Sequence, residues 1–246
     1  MTKISGLGDN LYVSGYDFSG DVSVLTRIAT PVGVLDVTAI DKSAFERIAG
    51  VLDGGIDYVT LFNPTADIHT ALRALTSSDE HLMYCRGTAL GSAAACLVAK
   101  QIGYDPTRAS DGGYTLKTSA VANGFGLEWG TLLTAGKRTD TTATNGTGVD
   151  LTTVSTAFGW QAYLQVLSLT GTSVTVTLQD SADNAAWTSL TGGAFTAATT
   201  RSVQRLLSAS STATVRRYAR AITTGTFSSA VFALALVRNQ AARRVS

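Results

Sequence analysis

Asp140-Thr-Thr-Ala-Thr-Asn-Gly-Thr-Gly-Val-Asp-Leu-Thr-Thr-Val-Ser-Thr156 is a seam of Thr, Gly and Asn through which no helical periodicity runs. The sequence on either side reads mostly as short β-strands. A seam of this kind in a chain of 246 residues predicts a mainly β protein in two parts. Residues 1–148 are expected to form a β-barrel or sandwich with one or two short helices. Residues 149–246 are expected to form a smaller all-β sandwich.

Downstream of the seam the alternation is clean. Gly159-Trp-Gln-Ala-Tyr-Leu-Gln-Val-Leu-Ser-Leu169 and Ser173-Val-Thr-Val-Thr-Leu-Gln179 read as two strands with a turn at Thr170-Gly171. Asp180-Ser-Ala-Asp-Asn184 reads as a further turn before Trp187-Thr-Ser-Leu190. Ser202 to Leu207, Arg217 to Ile222 and the buried-type run Ala230 to Val237 complete about six or seven short strands, the spacing of a β-sandwich.

Upstream, Leu11 to Phe18, Val22 to Ile28 and Val34 to Ile40 are strand candidates. Ser43-Ala-Phe-Glu46 has the form of a capping box. Phe45, Ile48, Ala49 and Leu52 follow at helical spacing, and Gly54-Gly55 supplies a stop, so this segment is expected to be an amphipathic helix. Asn63-Pro64 is expected to open a second short helix with Ile68, Leu72 and Leu75 as its stripe. The strand pattern resumes from Leu82 to Ile102, bending near Gly87 and Gly91. Asn123-Gly124 predicts a hairpin turn between Tyr114–Val121 and Leu127–Leu133.

Charged residues make up 15% of the chain, so much of its surface is Thr, Ser, Gly and Ala. Such short side chains lose little entropy when a partner covers them. The net charge of +1 argues against non-specific nucleic-acid binding as the main role. The charge is polarised along the chain. Acids outnumber bases over residues 1–148, and every Asp and Glu lies at or before Asp183. Beyond it only arginines follow: Arg201, Arg205, Arg216, Arg217, Arg220, Arg238, Arg243 and Arg244. No apolar run reaches the ~20 residues of a membrane helix, and the N-terminus lacks the apolar core of a signal peptide. Cys85 and Cys96 read as buried free thiols.

No pattern of catalytic residues emerges. His69 and His81 have no second ligand at metal spacing and read as surface residues. Gly124 to Gly130 mimics a dinucleotide loop without the βαβ setting that would give it meaning. Glu128 and Trp129 alternate onto opposite faces of a strand, and Trp129 is expected to pack structurally. Asp180 to Asn184 is more simply a turn that caps its own backbone than a calcium loop. The residues therefore point to no catalytic, metal or cofactor site.

At Asn123-Gly-Phe-Gly-Leu-Glu-Trp-Gly-Thr-Leu-Leu-Thr-Ala-Gly-Lys-Arg-Thr-Asp140 the chain resembles the major tail tube proteins of long-tailed phages of actinobacteria, the siphovirus type. Leu35-Asp-Val-Thr-Ala-Ile-Asp-Lys-Ser-Ala-Phe-Glu-Arg-Ile48, Asp53-Gly54 and Tyr84-Cys-Arg-Gly87 add to that resemblance. Ala162 to Val166, Thr175 to Asn184 and Arg217 to Arg220 are similar to the β-sandwich appendage that many phage virion proteins carry. The resemblance implies a tail-tube-like barrel or sandwich in hexameric rings, stacked around a channel for double-stranded DNA that passes without sequence-specific binding. The helix expected at Ser43 to Leu52 suits that scheme. The resemblance also implies other tail proteins as partners, such as the tape measure and tail terminator, and a place in the virion after assembly in the host cytoplasm. An acidic lumen would follow, with Asp57, Asp67 and Asp79 as candidates to line it. A rival reading is a capsid decoration or minor tail protein that binds host-surface carbohydrate through Trp160, Tyr163 and Trp187. A cell-wall hydrolase is a second rival.

Overall fold

The computed structural model describes residues 5–63, 68–74 and 78–241. The chain is mainly β, with large antiparallel pairing and one short helix among the described residues. In chain order the elements are β1 (Asn10–Val13), β2 (Tyr16–Asp17), β3 (Val22–Ala29), β4 (Val32–Asp36), β5 (Arg47–Leu52), β6 (Gly55–Leu61), α1 (Ile68–Ala74), β7 (Glu80–Cys85) and β8 (Ala93–Arg108). They continue with β9 (Tyr114–Ala122), β10 (Glu128–Leu132), β11 (Arg138–Asp140), β12 (Val149–Thr156), β13 (Trp160–Ser181), β14 (Thr188–Ala194), β15 (Ser202–Leu207) and β16 (Val215–Arg238). They fall into two units whose chain segments interleave. The first comprises Met1–Ser19, Met83–Cys96 and Trp129–Ser246, and the second Gly20–Leu82 and Leu97–Glu128. Position 148 lies inside the first unit.

The first unit is organised by the ribbon of β13 and β16, which pair antiparallel from Trp160↔Arg238 to Ser181↔Tyr218. Alternation puts Trp160, Ala162, Leu164 and Val166 inward, and Val174, Val176 and Leu178 do the same beyond an irregularity in register. From β16, Phe232, Leu234 and Leu236 join the same core as Val215, Ala219 and Ala221. Both halves of the ribbon thus bury one face in a shared core, and each large apolar side chain there stabilises by roughly 2 kcal/mol. The half at Gln161–Val166 pairs with β15, and the half at Thr177–Asp180 pairs with β14. On the other side β16 pairs with β10, β11 and β12. Strands on both sides of residue 148 therefore share one ladder.

The turn expected at Thr170-Gly171 does not reverse the chain. The two strands read on either side of it are one strand, β13, and Arg217–Ile222 and Ala230–Val237 likewise lie on β16. The Thr/Gly/Ser run is a corner where the ribbon bends. Register shifts cluster at Val166/Ser168, Thr170/Gly171 and Gly171/Ser173, with Gly171 at φ 144° and Gly225 at φ 126°. β1 and β2 form a two-residue hairpin through Ser14 (φ 48°) and Gly15 (φ 81°), and the Gly15 amide donates to the Gln165 side chain at 2.7 Å.

In the second unit the order β3-β6-β9-β8 is antiparallel throughout. Ile56, Tyr58 and Thr60 on β6 and Leu116, Thr118 and Ala120 on β9 are buried. Helix α1 buries Ile68, Ala71 and Leu72, and Gln101 on β8 donates to the Leu72 carbonyl at 3.1 Å. Pro64 and Leu75, part of the reading of this helix, lie outside the described residues. Asn123-Gly124 does turn, with Gly124 at φ 77°. The expected hairpin is absent because β9 already has β6 on one edge and β8 on the other, and the Asn123 amide donates to the Val98 carbonyl at 2.9 Å.

The helix expected from Ser43 to Leu52 is strand β5, paired with β4 as a separate two-stranded sheet. Glu46 does not close a capping box. Its amide donates to the Thr38 hydroxyl at 2.8 Å and its carbonyl accepts the Val37 amide at 2.9 Å, so its backbone belongs to a ladder. Gly50 in mid-run and the β-branched Ile48 and Val51 favour the strand, and Val32–Asp36 supplies a partner.

Candidate assembly surface

The β4–β5 hairpin is exposed on both faces. Its register is Val32↔Leu52, Val34↔Ala49, Leu35↔Ile48 and Asp36↔Arg47. Near the tip the Asp36 carboxylate accepts the Thr38 amide at 3.0 Å and the Thr38 hydroxyl at 2.6 Å, which holds its pKa below the usual carboxylate value. Arg47 lies over the Phe45 ring at 4.7 Å. Between these polar fixtures nine large apolar side chains face solvent, including Val34 (63% exposed), Phe45 (69%) and Val51 (81%). Nine exposed apolar side chains on one hairpin go beyond the single scattered ones of an ordinary monomer surface. A two-stranded hairpin is marginal in water by itself. Its apolar side chains have nothing within the hairpin to bury them.

Charge sorts between the units. Among the described residues the second holds eleven carboxylates against seven Lys and Arg, and the first holds six against nine. The six described C-terminal arginines are engaged within the first unit. Arg216 grips Asp180, and Arg217 pairs with Asp150 at 2.6 Å, holding that carboxylate at about 2. Arg220 donates to Gln179 Oε1 and lies 4.3 Å over the Trp187 ring. Arg201 stacks on Tyr16, and Arg205 donates to the Tyr163 hydroxyl. Arg238 is buried and donates to the carbonyls of Leu151, Thr153 and Arg216. Arg243 and Arg244 lie outside the described residues.

The residues singled out in the sequence are dispersed. His69 is half-buried, with Nδ1 on the Tyr104 hydroxyl and its ring edge-on to Phe62, and His81 is half-buried with Nδ1 enclosed; neither is a plain surface residue. Glu128 and Trp129 do face opposite ways, but Glu128 is the buried one and Trp129 is 46% exposed. In the Asp180–Asn184 turn Asp180 is taken by Arg216. Asp183 accepts the amides of Ala185 and Ala186, both at 2.9 Å, and these bonds hold it at about 2. Trp160 and Tyr163 are buried, and only Trp187 of the proposed carbohydrate trio reaches solvent, under Arg220. Asp57 sits 3.8 Å from Arg27 and Asp79 2.8 Å from Lys100. Asp67 lies outside the described residues. Cys85 and Cys96 are buried, and burial pushes the Cys85 thiol up to about 12.

A cavity of about 330 Å³ in the first unit is lined by Leu90, Leu133, Lys137 and Arg138, but Lys137 is bound to Asp17 and Arg138 to Asp140. Among the described residues no group of three His, Cys, Asp or Glu is placed to hold a metal, and no helix is long and apolar enough to cross a membrane. The hairpin, whose second strand reads as a helix in the sequence, is the feature that sequence reasoning missed. The signal available was the run of β-branched residues through Gly33 and Gly50.

No protein-family model and no curated protein matches the chain. Among solved structures it is similar to a protein of the virion of a native gene transfer agent particle, at 13% identity and TM-score 0.43, over 52% of this chain and 98% of that one. It is similar to the SPP1 Dit (gp 19.1) protein, described as a paradigm of hub adsorption apparatus in phages infecting Gram-positive hosts, at 9% identity and TM-score 0.34, over 93% of this chain and 98% of that one. A protein of the phage p2 baseplate in its activated conformation is similar at 9% identity and TM-score 0.35, over 94% and 98%.

Proposed function

We propose that the chain is a self-assembling structural protein of a long-tailed phage tail, and within that class a tail tube subunit. Hexameric rings would stack around a channel through which DNA passes, with tape measure and terminator proteins as further partners and the virion as its location. The observation that carries self-assembly is the β4–β5 hairpin, whose nine exposed apolar side chains need a cover. The tail assignment rests on the sequence resemblance at Asn123–Asp140 and Leu35–Ile48. The role is architectural rather than catalytic. The acidic excess of residues 1–148 would face DNA.

Electron microscopy of the purified protein tests this. Stacked tubes support the tube subunit, and single closed rings without stacking support a hub-type ring. A monomer at every concentration and salt level, with no copy in purified virions, overturns the proposal.

A further inference from the structure

We infer that Asn123 is a site of spontaneous covalent modification in the folded protein. Its side-chain amide is lost to attack by the Gly124 backbone nitrogen, which leaves aspartate and isoaspartate at an exposed turn. Asn145, in the same Asn-Gly context, is spared by the fold. The inference stands apart from the assembly reading.

The chain holds two Asn-Gly pairs, Asn123-Gly124 and Asn145-Gly146. Glycine has no side chain to hinder approach, so its backbone nitrogen can reach the carbonyl carbon of the preceding Asn side chain. That nitrogen gives up its proton and bonds to Cγ, the Cγ–Nδ2 bond breaks, and Nδ2 departs as ammonia. Water then opens the five-membered imide at either carbonyl, giving a carboxylate on an ordinary or a lengthened backbone. The step needs an unbonded amide N–H and room to bring it onto the side chain.

The fold supplies both at one pair and neither at the other. Asn123 and Gly124 are exposed. Among the described residues the Gly124 amide has no acceptor, and an added Cβ there would meet nothing within 4 Å. Asn145 is exposed too, but its backbone bridges Ile222, and the Gly146 amide donates to the Ala221 carbonyl at 2.8 Å. A Cβ on Gly146 would run into the Arg138 guanidinium and the Ala221 carbonyl, so its nitrogen is enclosed as well as bonded. Reaction there has to wait for local opening of the contact with β16.

The surroundings of Asn123 add an acid–base pair. Asn123 Nδ2 donates to Asp79 Oδ1 at 2.8 Å, and the Lys100 ammonium lies 2.8 Å from the same oxygen. The Lys100 bond, and after it the Asn123 bond, hold the Asp79 carboxyl below its ordinary value. The departing nitrogen therefore has a carboxylate and an ammonium beside it to move protons. After the change a second carboxylate faces Asp79, and Lys100 becomes the counter-ion to both.

The test is ageing of the full-length protein at mildly alkaline pH and physiological temperature, once folded and once in guanidinium chloride, followed by tryptic mass mapping. Residues 118–137 form one tryptic peptide with Asn123 as its single Asn, and Asn145 lies in the peptide 139–201. In the folded protein Asn123 should gain about 1 Da and split into aspartate and isoaspartate forms, at least about tenfold faster than Asn145. In denaturant the two should convert at comparable rates, which places the discrimination in the fold. Asn123→Gln should abolish the early change in the folded protein, and Asn145→Gln should leave it. Equal conversion of the two sites in the folded protein overturns the inference, as does conversion of Asn145 first. So does a folded protein unchanged at Asn123, whether or not the denatured chain reacts. A loss of about 17 Da with Lys100 joined to Asn123 would also overturn it, since the attacking nitrogen would then be the lysine's.

Discussion

Arg216 holds the buried Asp180 carboxylate by three hydrogen bonds: its backbone amide reaches Oδ2 at 2.8 Å, and its Nε and Nη2 reach Oδ1 at 3.0 and 2.6 Å. A fourth bond runs from Nη2 to the Asp180 carbonyl at 2.9 Å. The pair ties the start of β16 to the end of β13. Arg216→Ala should destabilise the protein by about 2–4 kcal/mol, because it leaves a carboxylate that is 4% exposed without its guanidinium. Denaturant unfolding followed by tryptophan fluorescence is the measurement, and a loss below ~0.5 kcal/mol would refute the assignment.

The corner of the β13–β16 ribbon depends on glycine. At Gly225, with φ 126°, an added Cβ would lie 2.3 Å from the Ser173 carbonyl oxygen; at Gly171, with φ 144°, it would lie 2.4 Å from the Phe227 Cα. Both contacts are to backbone that cannot rotate away. Gly225→Ala should cost about 2 kcal/mol or more. Gly192, at φ 74° with nothing near its missing Cβ, should tolerate Ala at a smaller cost and serves as the control.

Glu80 gives the protein a pH signature. Its carboxylate is fully buried in the second unit, neither oxygen has a hydrogen-bond partner, and desolvation pushes its pKa up to about 8. In the unfolded chain it ionises at the ordinary carboxylate value. Between these two values the unfolded chain binds fewer protons at this site, so stability falls as pH rises, by up to ~1.4 kcal/mol per unit, and levels off above about 8. Glu80→Gln should remove this slope and be the more stable protein at pH 8. Denaturation midpoints from pH 5 to 9 should diverge with rising pH, and parallel curves for the two proteins would contradict it.

Truncation after Gly148 probes the division suggested by the sequence. Arg138↔Phe232, Thr139↔Val231 and Asp140↔Ala230 pair across that point, and buried Leu133 belongs to the core with Leu234 and Leu236. Removing residues 149–246 should leave β10 and β11 without β16 and give aggregated or unfolded protein. A soluble, cooperatively unfolding fragment 1–148 would show instead that the appendage is dispensable to the first part.

Sequence by itself determined the strand class. The period-2 burial of Val174, Val176 and Leu178 and of Ile56, Tyr58 and Thr60 is local, because side-chain alternation is a property of the extended backbone. It also determined the Asp183 turn, whose bonds close within three residues. Only the tertiary structure decided whether Gly171 reverses the chain or bends it, since that depends on β16, some fifty residues away, continuing to pair through the corner. It likewise decided between helix and strand at Ser43–Leu52. The apolar spacing there fits both periods over so short a run, and the choice fell to a partner strand, Val32–Asp36, that local propensity does not see. The charge sorting followed the same rule. Linear halves blur it, because the chain enters the basic unit three times and the acidic unit twice, and the contrast is complete only once those segments are folded together.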